Sequence, residues 1–244
     1  MKIEICFSPF LYPAYKEDNT IVVVVDVFRA TTTMCAALAN GAASVIPVRT
    51  LEEAREYKDK GFLVGGERNV KKFEFGDFGN SPSEYTADKV EGKDIVISTT
   101  NGTRAIDAAT DSFALLIGAF SNLSAIAEFC AVEKKGVLVL CAGWKDKVNF
   151  EDTLFGGALA YKLKEKGFDV NFDSTQIALS MWNEAKDDIW KYIQRSEHIK
   201  RLEAHDLLDV AKYCLQIDTM PVLPVYDRQT KHITDRKKDY DRII

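Results

Sequence analysis

The chain has 244 residues, 46% of them hydrophobic and 28% charged, with 32 basic against 37 acidic side chains and a formal net charge of −5. A chain of that length buries a full core without disulfide or metal staples. The acidic balance excludes a broad nucleic-acid or anionic-membrane footprint, which needs a concentrated positive field, but not a local arginine cluster for a small anion.

From Met1 the sequence enters polar residues, Pro9 and Pro13 almost at once, with no apolar leader. The run Ile21–Val25 shows no alternation, which predicts a strand buried on both faces, and it is far too short to span a membrane. A polar stretch over 26–33 leads into a helix over 34–39, which Asn40-Gly41 ends. Next come a strand over 44–48, a helix over 51–60, a strand over 62–65 and an irregular stretch over 66–80. Ser81-Pro82-Ser83-Glu84 predicts a helix start, with Ser81 as cap and Glu84 completing a capping box. The unit then repeats as a strand over 94–98, a polar turn over 99–103 and a helix over 104–109. Strands follow over 113–118 and 136–140, with helices over 122–131 and 154–166. Residues 174–217 read as helical with a break near Ser196, residues 222–226 as a late strand, and the charged tail 235–242 as a solvated end.

Strands alternating with amphipathic stretches predict an α/β fold with a largely parallel sheet covered by helices. No linker composition divides the chain, so one domain over 1–244 is expected. The five cysteines are scattered, without CxxC or zinc-ligand spacing, which predicts a reduced, cytoplasmic, soluble protein.

In open α/β sheets ligands sit where strands end and helix N-termini begin. Three such junctions carry unusual residues. Asp26 ends an apolar strand and is followed by Arg29, Thr31, Thr32 and Thr33. A carboxylate there suits Mg²⁺ or a nucleophile, and an arginine suits phosphate or carboxylate; a plain helix cap with an ion pair would use the same residues. Ser98-Thr-Thr-Asn101-Gly102-Thr103-Arg104 repeats the ingredients, with Asn101-Gly102 suited to a positive-φ anion nest, or simply to a tight turn capped by Thr103. The third junction gives Cys141-Ala-Gly143, then Asn149-Phe-Glu151-Asp152 at a helix start, where acids also serve the helix dipole. Glu67-Arg68 lies in the irregular loop between them, as a surface pair or as a metal ligand beside an anion-binding arginine.

Other chemistries lose support. No GxGxxG follows a strand and no GxxxxGK[ST] occurs; a cysteine-phosphatase loop from Cys141 would need Arg where Lys147 stands; Phe28 occupies the place of a second aspartate after Asp26. The three histidines, His198, His205 and His232, all fall in the C-terminal quarter and suit surface or packing roles, with His198 the best exception.

Taken in order, Asp26-Val-Phe-Arg-Ala-Thr-Thr-Thr33, Gly66-Glu67-Arg68, Gly79-Asn80-Ser81-Pro82, Ser98-Thr-Thr-Asn-Gly-Thr-Arg-Ala105, Cys141-Ala-Gly143, Glu151-Asp152-Thr153 and Cys214-Leu215 through Val222-Pro224 resemble the 2-phosphosulfolactate phosphatases over nearly the whole chain. The chain departs from that pattern at Trp144-Lys145-Asp146-Lys147, where a glycine is expected soon after Gly143, and at His205, where a glycine is usual. The resemblance implies a three-layer α/β/α sandwich of two intertwined, similar halves. It also implies a Mg²⁺-dependent phosphatase acting on 2-phospho-3-sulfolactate, as on the route to coenzyme M, and a homo-oligomer such as a dimer. On that basis Asp26, Glu67, Glu151 and Asp152 are expected to hold Mg²⁺. Asp26, Arg29 and Arg104 are expected to act in catalysis, and Thr31, Thr32, Arg68, Asn101, Gly102 and Thr103 to bind a small polyanionic phosphate ester. Two alternatives stand beside this: a phosphatase of another 2-phospho-acid such as phospholactate, and a non-catalytic anion-binding protein on the same fold. Ile189, Trp190, Ile193 and Leu202 suit either core or interface.

Overall fold

The structure is a computed structural model, and it describes residues 1–67 and 72–237. In chain order it contains β1 (Ile3–Cys6), α1 (Tyr12–Tyr15), β2 (Ile21–Val25), α2 (Ala30–Ala39), β3 (Ser44–Val48), α3 (Leu51–Asp59), β4 (Leu63–Gly66), α4 (Ala87–Val90), β5 (Asp94–Ser98) and α5 (Asn101–Ala108). These are followed by β6 (Ala114–Gly118), α6 (Leu123–Glu133), β7 (Val137–Cys141), α7 (Phe150–Glu165), α8 (Asp173–Ala185), α9 (Ile189–Ile193), α10 (Glu197–Glu203), α11 (Leu208–Cys214), β8 (Pro224–Tyr226) and β9 (Ile233–Asp235).

The strands form one nine-stranded sheet in the order β1-β7-β2-β6-β8-β9-β3-β5-β4. Two all-parallel blocks, β1-β7-β2-β6 and β3-β5-β4, are joined through the antiparallel β8–β9 hairpin. The physical reason for the unbroken apolar run of β2 is now visible. Ile21, Val23 and Val25 pack into one core with α6, α7 and α8, while Val22 and Val24 pack into another with α2 and α5. All five side chains are essentially inaccessible. Helices therefore cover both faces, as expected of an α/β/α sandwich. A smaller cluster under α3 unites Ile46, Val48, Ala54, Val64 and Val96.

Several local expectations change. β1 was not foreseen, because four residues ahead of Pro9 carry little pattern; it exists by pairing with β7 from Ile3↔Val137 to Cys6↔Leu140. β9 lies at the head of the charged tail and is recruited by β8 and β3, and residues 238–242 of that tail lie outside the described residues. Ser81 opens only a 3-10 turn, Pro82–Glu84, without a side-chain cap; the Glu84 carboxylate accepts from the Gly79 N–H at 2.8 Å instead of closing a capping box. The helical stretch after residue 172 divides into α8 to α11. Ile193 and Leu202 belong to the core, and Ile189 and Trp190 pack against it, which assigns that apolar face to the interior.

No helix among the described residues is long and apolar enough to cross a membrane.

Candidate active site

The segments that follow β2, β4, β5 and β7 meet in a cleft of about 400 Å³. Asp26 and Arg29 enter it after β2, Glu67 after β4, Thr99 to Asn101 after β5, and Gly143 to Lys145 after β7, with α10 forming the opposite wall. α2, α5 and α7 all begin without a side-chain cap, whereas α3, which does not line the cleft, carries a complete Thr50/Glu53 capping box. The first N–H groups of a helix are suited to an anion; at α2 the Ala30 N–H is given to the Asp26 carboxylate, and at α5 the Thr103 N–H donates to Thr99 Oγ1 at 3.4 Å. A larger cleft of about 640 Å³ lies beside β3 and the β8–β9 hairpin. Its charged lining, including Arg49, Glu53, Lys60, Asp107 and Lys231, is exposed and of mixed sign. Volume alone favours that second cleft; enclosed charge, which is what perturbs reactivity, favours the first.

Asp26 opens onto the cleft along one edge and is otherwise enclosed. Enclosure pushes its carboxyl pKa up to about 6; the charge of His198 opposes the rise, while Glu151 and Glu67 add to it. Its carboxylate accepts from the Ala30 N–H at the start of α2. Gly102 lets the first turn of α5 approach the same carboxylate: a Cβ there would lie 3.3 Å from Asp26 Oδ2 and 3.2 Å from Ala30 Cβ. Arg29 is 5% exposed, and burial lowers its pKa while the field of Glu67 counters that. A buried guanidinium stays charged at neutral pH and has lost its competing hydration, which strengthens its attraction for an incoming anion.

Glu151 and Asp152 are fully buried in the first turn of α7. Glu151 Oε1 takes both the His198 Nδ1 contact at 2.5 Å and a 3.0 Å bond from Asn149 Nδ2. Among the described residues its Oε2 has no hydrogen-bond partner, and neither do the buried Oδ1 atoms of Asn80 and Asn149, two residues that line the cleft. Asp152 faces backbone: Oδ1 accepts from Val27 N at 2.9 Å and Oδ2 from Gly143 N at 3.3 Å. Burial, with Glu151 and Asp26 nearby, raises the Asp152 pKa well above the usual carboxylate range. Its bonds tie the segment after β2 to the one after β7.

The other expected residues fall in different places. The hydroxyls of Thr31 and Thr32 are spent on their own loop, Thr31 Oγ1 accepting from Asp26 N at 3.0 Å and Thr32 Oγ1 donating to Val27 O at 2.9 Å. Thr103 Oγ1 likewise bonds Val48 O and Thr99 O. Asn101 lines the cleft, and Asn101 and Gly102 form the first turn of α5 instead of a positive-φ nest. The Arg104 guanidinium bonds Asp146 at 2.8 Å, holding the turn after β7. Arg68 lies outside the described residues.

Sequence reading sets His198 apart, and marks Trp144, Lys145 and His205 only as departures from the family pattern, but gives the wall they form no place in the site. His198, Leu202 and His205 enter the cleft from α10 and its end, together with Arg201, and Trp144 and Lys145 enter from the turn after β7. The signal was the spacing i, i+3, i+4, i+7 of His198, Arg201, Leu202 and His205, which puts them on one helical face. The buried thiols stay out of the chemistry: enclosure raises Cys141 well above its usual range and Cys214 to about 12.

Among the described residues no three His, Cys, Asp or Glu side chains form a ready cation cage. Mg²⁺ asks for less, since one or two carboxylates, waters and substrate oxygens normally complete its shell. Asp26 and Glu67 in the cleft, with the unpartnered oxygens of Glu151, Asn80 and Asn149 beside it, are an oxygen-only donor set of that kind.

Comparison with known proteins bears on this geometry. The sequence matches the family described as 2-phosphosulpholactate phosphatase over residues 6–229. A protein of Thermotoga maritima named probable 2-phosphosulfolactate phosphatase is 38% identical over 212 residues, covering 87% of this chain and 91% of its own. Proteins with the same printed name from Caldanaerobacter subterraneus subsp. tengcongensis and Clostridium botulinum (strain Eklund 17B) are 36% and 32% identical, covering 86% and 93% of this chain and 88% and 97% of their own.

Proposed function

The chain belongs to the 2-phosphosulfolactate phosphatase family, and on that premise we propose that it hydrolyses the phosphate monoester of a small 2-hydroxy acid, 2-phospho-3-sulfolactate, to 3-sulfolactate and phosphate, as on the route to coenzyme M. The observation that carries the reading is the pairing, in one cleft, of the enclosed carboxylate of Asp26 with the buried guanidinium of Arg29, at the N-terminal ends of α2 and α5. A pure anion receptor has no use for enclosed carboxylates beside its arginine, whereas a phosphoryl-transfer site needs them for a cation.

In this reading Arg29 and the first-turn N–H groups of α5 bind and orient the phosphoryl oxygens and stabilise the charge that builds on them. Asp26 and Glu67 hold Mg²⁺, with Glu151, Asn80 and Asn149 completing its surroundings; when bound, the ion supplies charge neutralisation at the phosphoryl group. His198, its Nδ1 2.5 Å from Glu151 Oε1, fixes that carboxylate beside the cleft. Asp152 positions the loops through Val27 and Gly143. Self-association belongs to the same proposal and rests on the family alone.

The test is phosphate release from 2-phospho-3-sulfolactate and from 2-phospholactate, each with Mg²⁺ and with chelator. Metal-dependent release that is faster with the sulfonate is expected. Equal rates on the two esters would move the substrate to another 2-phospho-acid. Binding without any release would make the chain an anion receptor.

A further inference from the structure

The turn after β7 is built around one indole. Trp144 and Lys147 exchange backbone hydrogen bonds, and Lys145 and Asp146 occupy positive φ of 52° and 61° between them. The turn is pinned from outside by the 2.8 Å Arg104–Asp146 ion pair. Facing the cleft, the Arg201 guanidinium lies 4.0 Å from the centre of the Trp144 ring, and the Lys145 ammonium lies 4.5 Å from the same ring. Lys145 and Arg201 have no carboxylate within ion-pair distance among the described residues, and both line the same cleft as Arg29.

The two ways of holding a cation differ in what they leave over. Arg104 is neutralised by Asp146, so it fixes the loop and offers little to a ligand. An aromatic face also fixes a cation, but it leaves the charge uncompensated. Lys145 and Arg201 are thus two oriented cations, held on an indole and not by a carboxylate among the described residues, in the cleft that Arg29 also lines. His205, one turn beyond Arg201, stands at the same rim.

We propose that Lys145 and Arg201, seated on Trp144, form a second anion subsite, which takes an acidic tail, sulfonate or carboxylate, carried a few atoms from the phosphate. This rests on the phosphate-ester reading above and refines it: Arg29 takes the phosphoryl group, and the Trp144 wall selects esters that bear a further negative group. Selectivity by this wall acts through binding, so its loss shows in KM more than in kcat.

The experiment uses the full chain and sulfoacetate, a two-carbon sulfonate-carboxylate without phosphate, titrated by calorimetry and by tryptophan emission in excess orthophosphate, which occupies the Arg29 end. Wild type is expected to bind it with a change in indole emission. Lys145→Gln and Arg201→Gln are each expected to weaken it roughly 10-fold or more, the range for losing a charge-assisted contact, with orthophosphate affinity moving less than about threefold. Because Lys145 is exposed, its substitution removes charge without touching the core. Failure of wild type to bind sulfoacetate, unchanged binding in both variants, or equal loss of sulfoacetate and orthophosphate would each overturn the subsite. Sulfoacetate binding with no phosphate release from any ester would support the subsite and sink the phosphatase reading, so the two failures are separable.

Discussion

Gly66 ends β4 directly before Glu67 and is where fold and site are most tightly linked. It sits at φ +132°, a region closed to residues with a side chain, and a Cβ there would lie 2.1 Å from Ser98 O and 2.9 Å from its carbonyl carbon on β5. Real Cβ atoms essentially never approach closer than 3.0 Å, and the obstacle is backbone, so Gly66→Ala must part β4 from β5 by at least about 0.9 Å. The backbone conformation costs about 1–3 kcal/mol and the overlap about 1–3 kcal/mol more, so a loss of roughly 2–6 kcal/mol is expected, a large share of a typical domain's stability. The same displacement moves Glu67 relative to Asp26, and a misplacement of about 1 Å costs on the order of 100-fold in rate. Urea unfolding and kcat/KM for phosphate release measure the two effects, with phosphate release read at low temperature where the variant stays folded. A midpoint equivalent to less than about 0.5 kcal/mol of change would refute the β4–β5 geometry. A destabilised variant with kcat/KM within about threefold of wild type would remove Glu67 from the site.

Four further outcomes follow from the same geometry. Asp152→Ala strips the acceptors from two backbone N–H groups and is expected to destabilise by about 2–5 kcal/mol in thermal or urea melts; a silent substitution would show that those bonds do not tie the loops together. Arg104→Gln removes only a part-exposed ion pair, so its stability should change by less than about 1 kcal/mol; abolished turnover with intact substrate binding would return Arg104 to direct catalysis. Asp26 has a folded-state pKa of about 6 against an ordinary 3.8, so the native state holds its proton longer than the unfolded chain does. In chelator, wild-type stability should therefore fall relative to Asp26→Asn as pH rises from about 4 through 6, and the gap should level off above that window; a gap that closed with rising pH would contradict the enclosure of this carboxylate. Adding Mg²⁺ at neutral pH should raise the wild-type melting temperature and leave Asp26→Asn unmoved, an effect readable without any substrate.

Much of the fold was legible because its cause is local or periodic. Ile21–Val25 carries no polar residue, and only a strand covered on both faces tolerates that; here the two faces enter two different cores. The junctions at Asp26, Asn101 and Glu151 stood out because charged and polar residues interrupt buried elements. What stayed hidden was partnership between distant segments. β1 and β9 are strands only because β7, and β8 with β3, pair with them.

The same limit governs the site. Sequence alone named Asp26, Arg29, Glu67 and Asn101, all of which line the cleft, since a residue type at a strand end is visible in one dimension. It could not tell that Asp152 would spend its oxygens on Val27 and Gly143, that Arg104 would reach Asp146, or that Thr31, Thr32 and Thr103 would turn inward. Nor could it bring Arg201 and Lys145, 56 positions apart in the chain, onto one indole. Composition and pattern fix which groups are available and which surfaces must be buried. Which charge is neutralised and which is left facing a ligand depends on distances of a few ångströms between segments remote in sequence, and those are set only when the sheet and its helices close on one another.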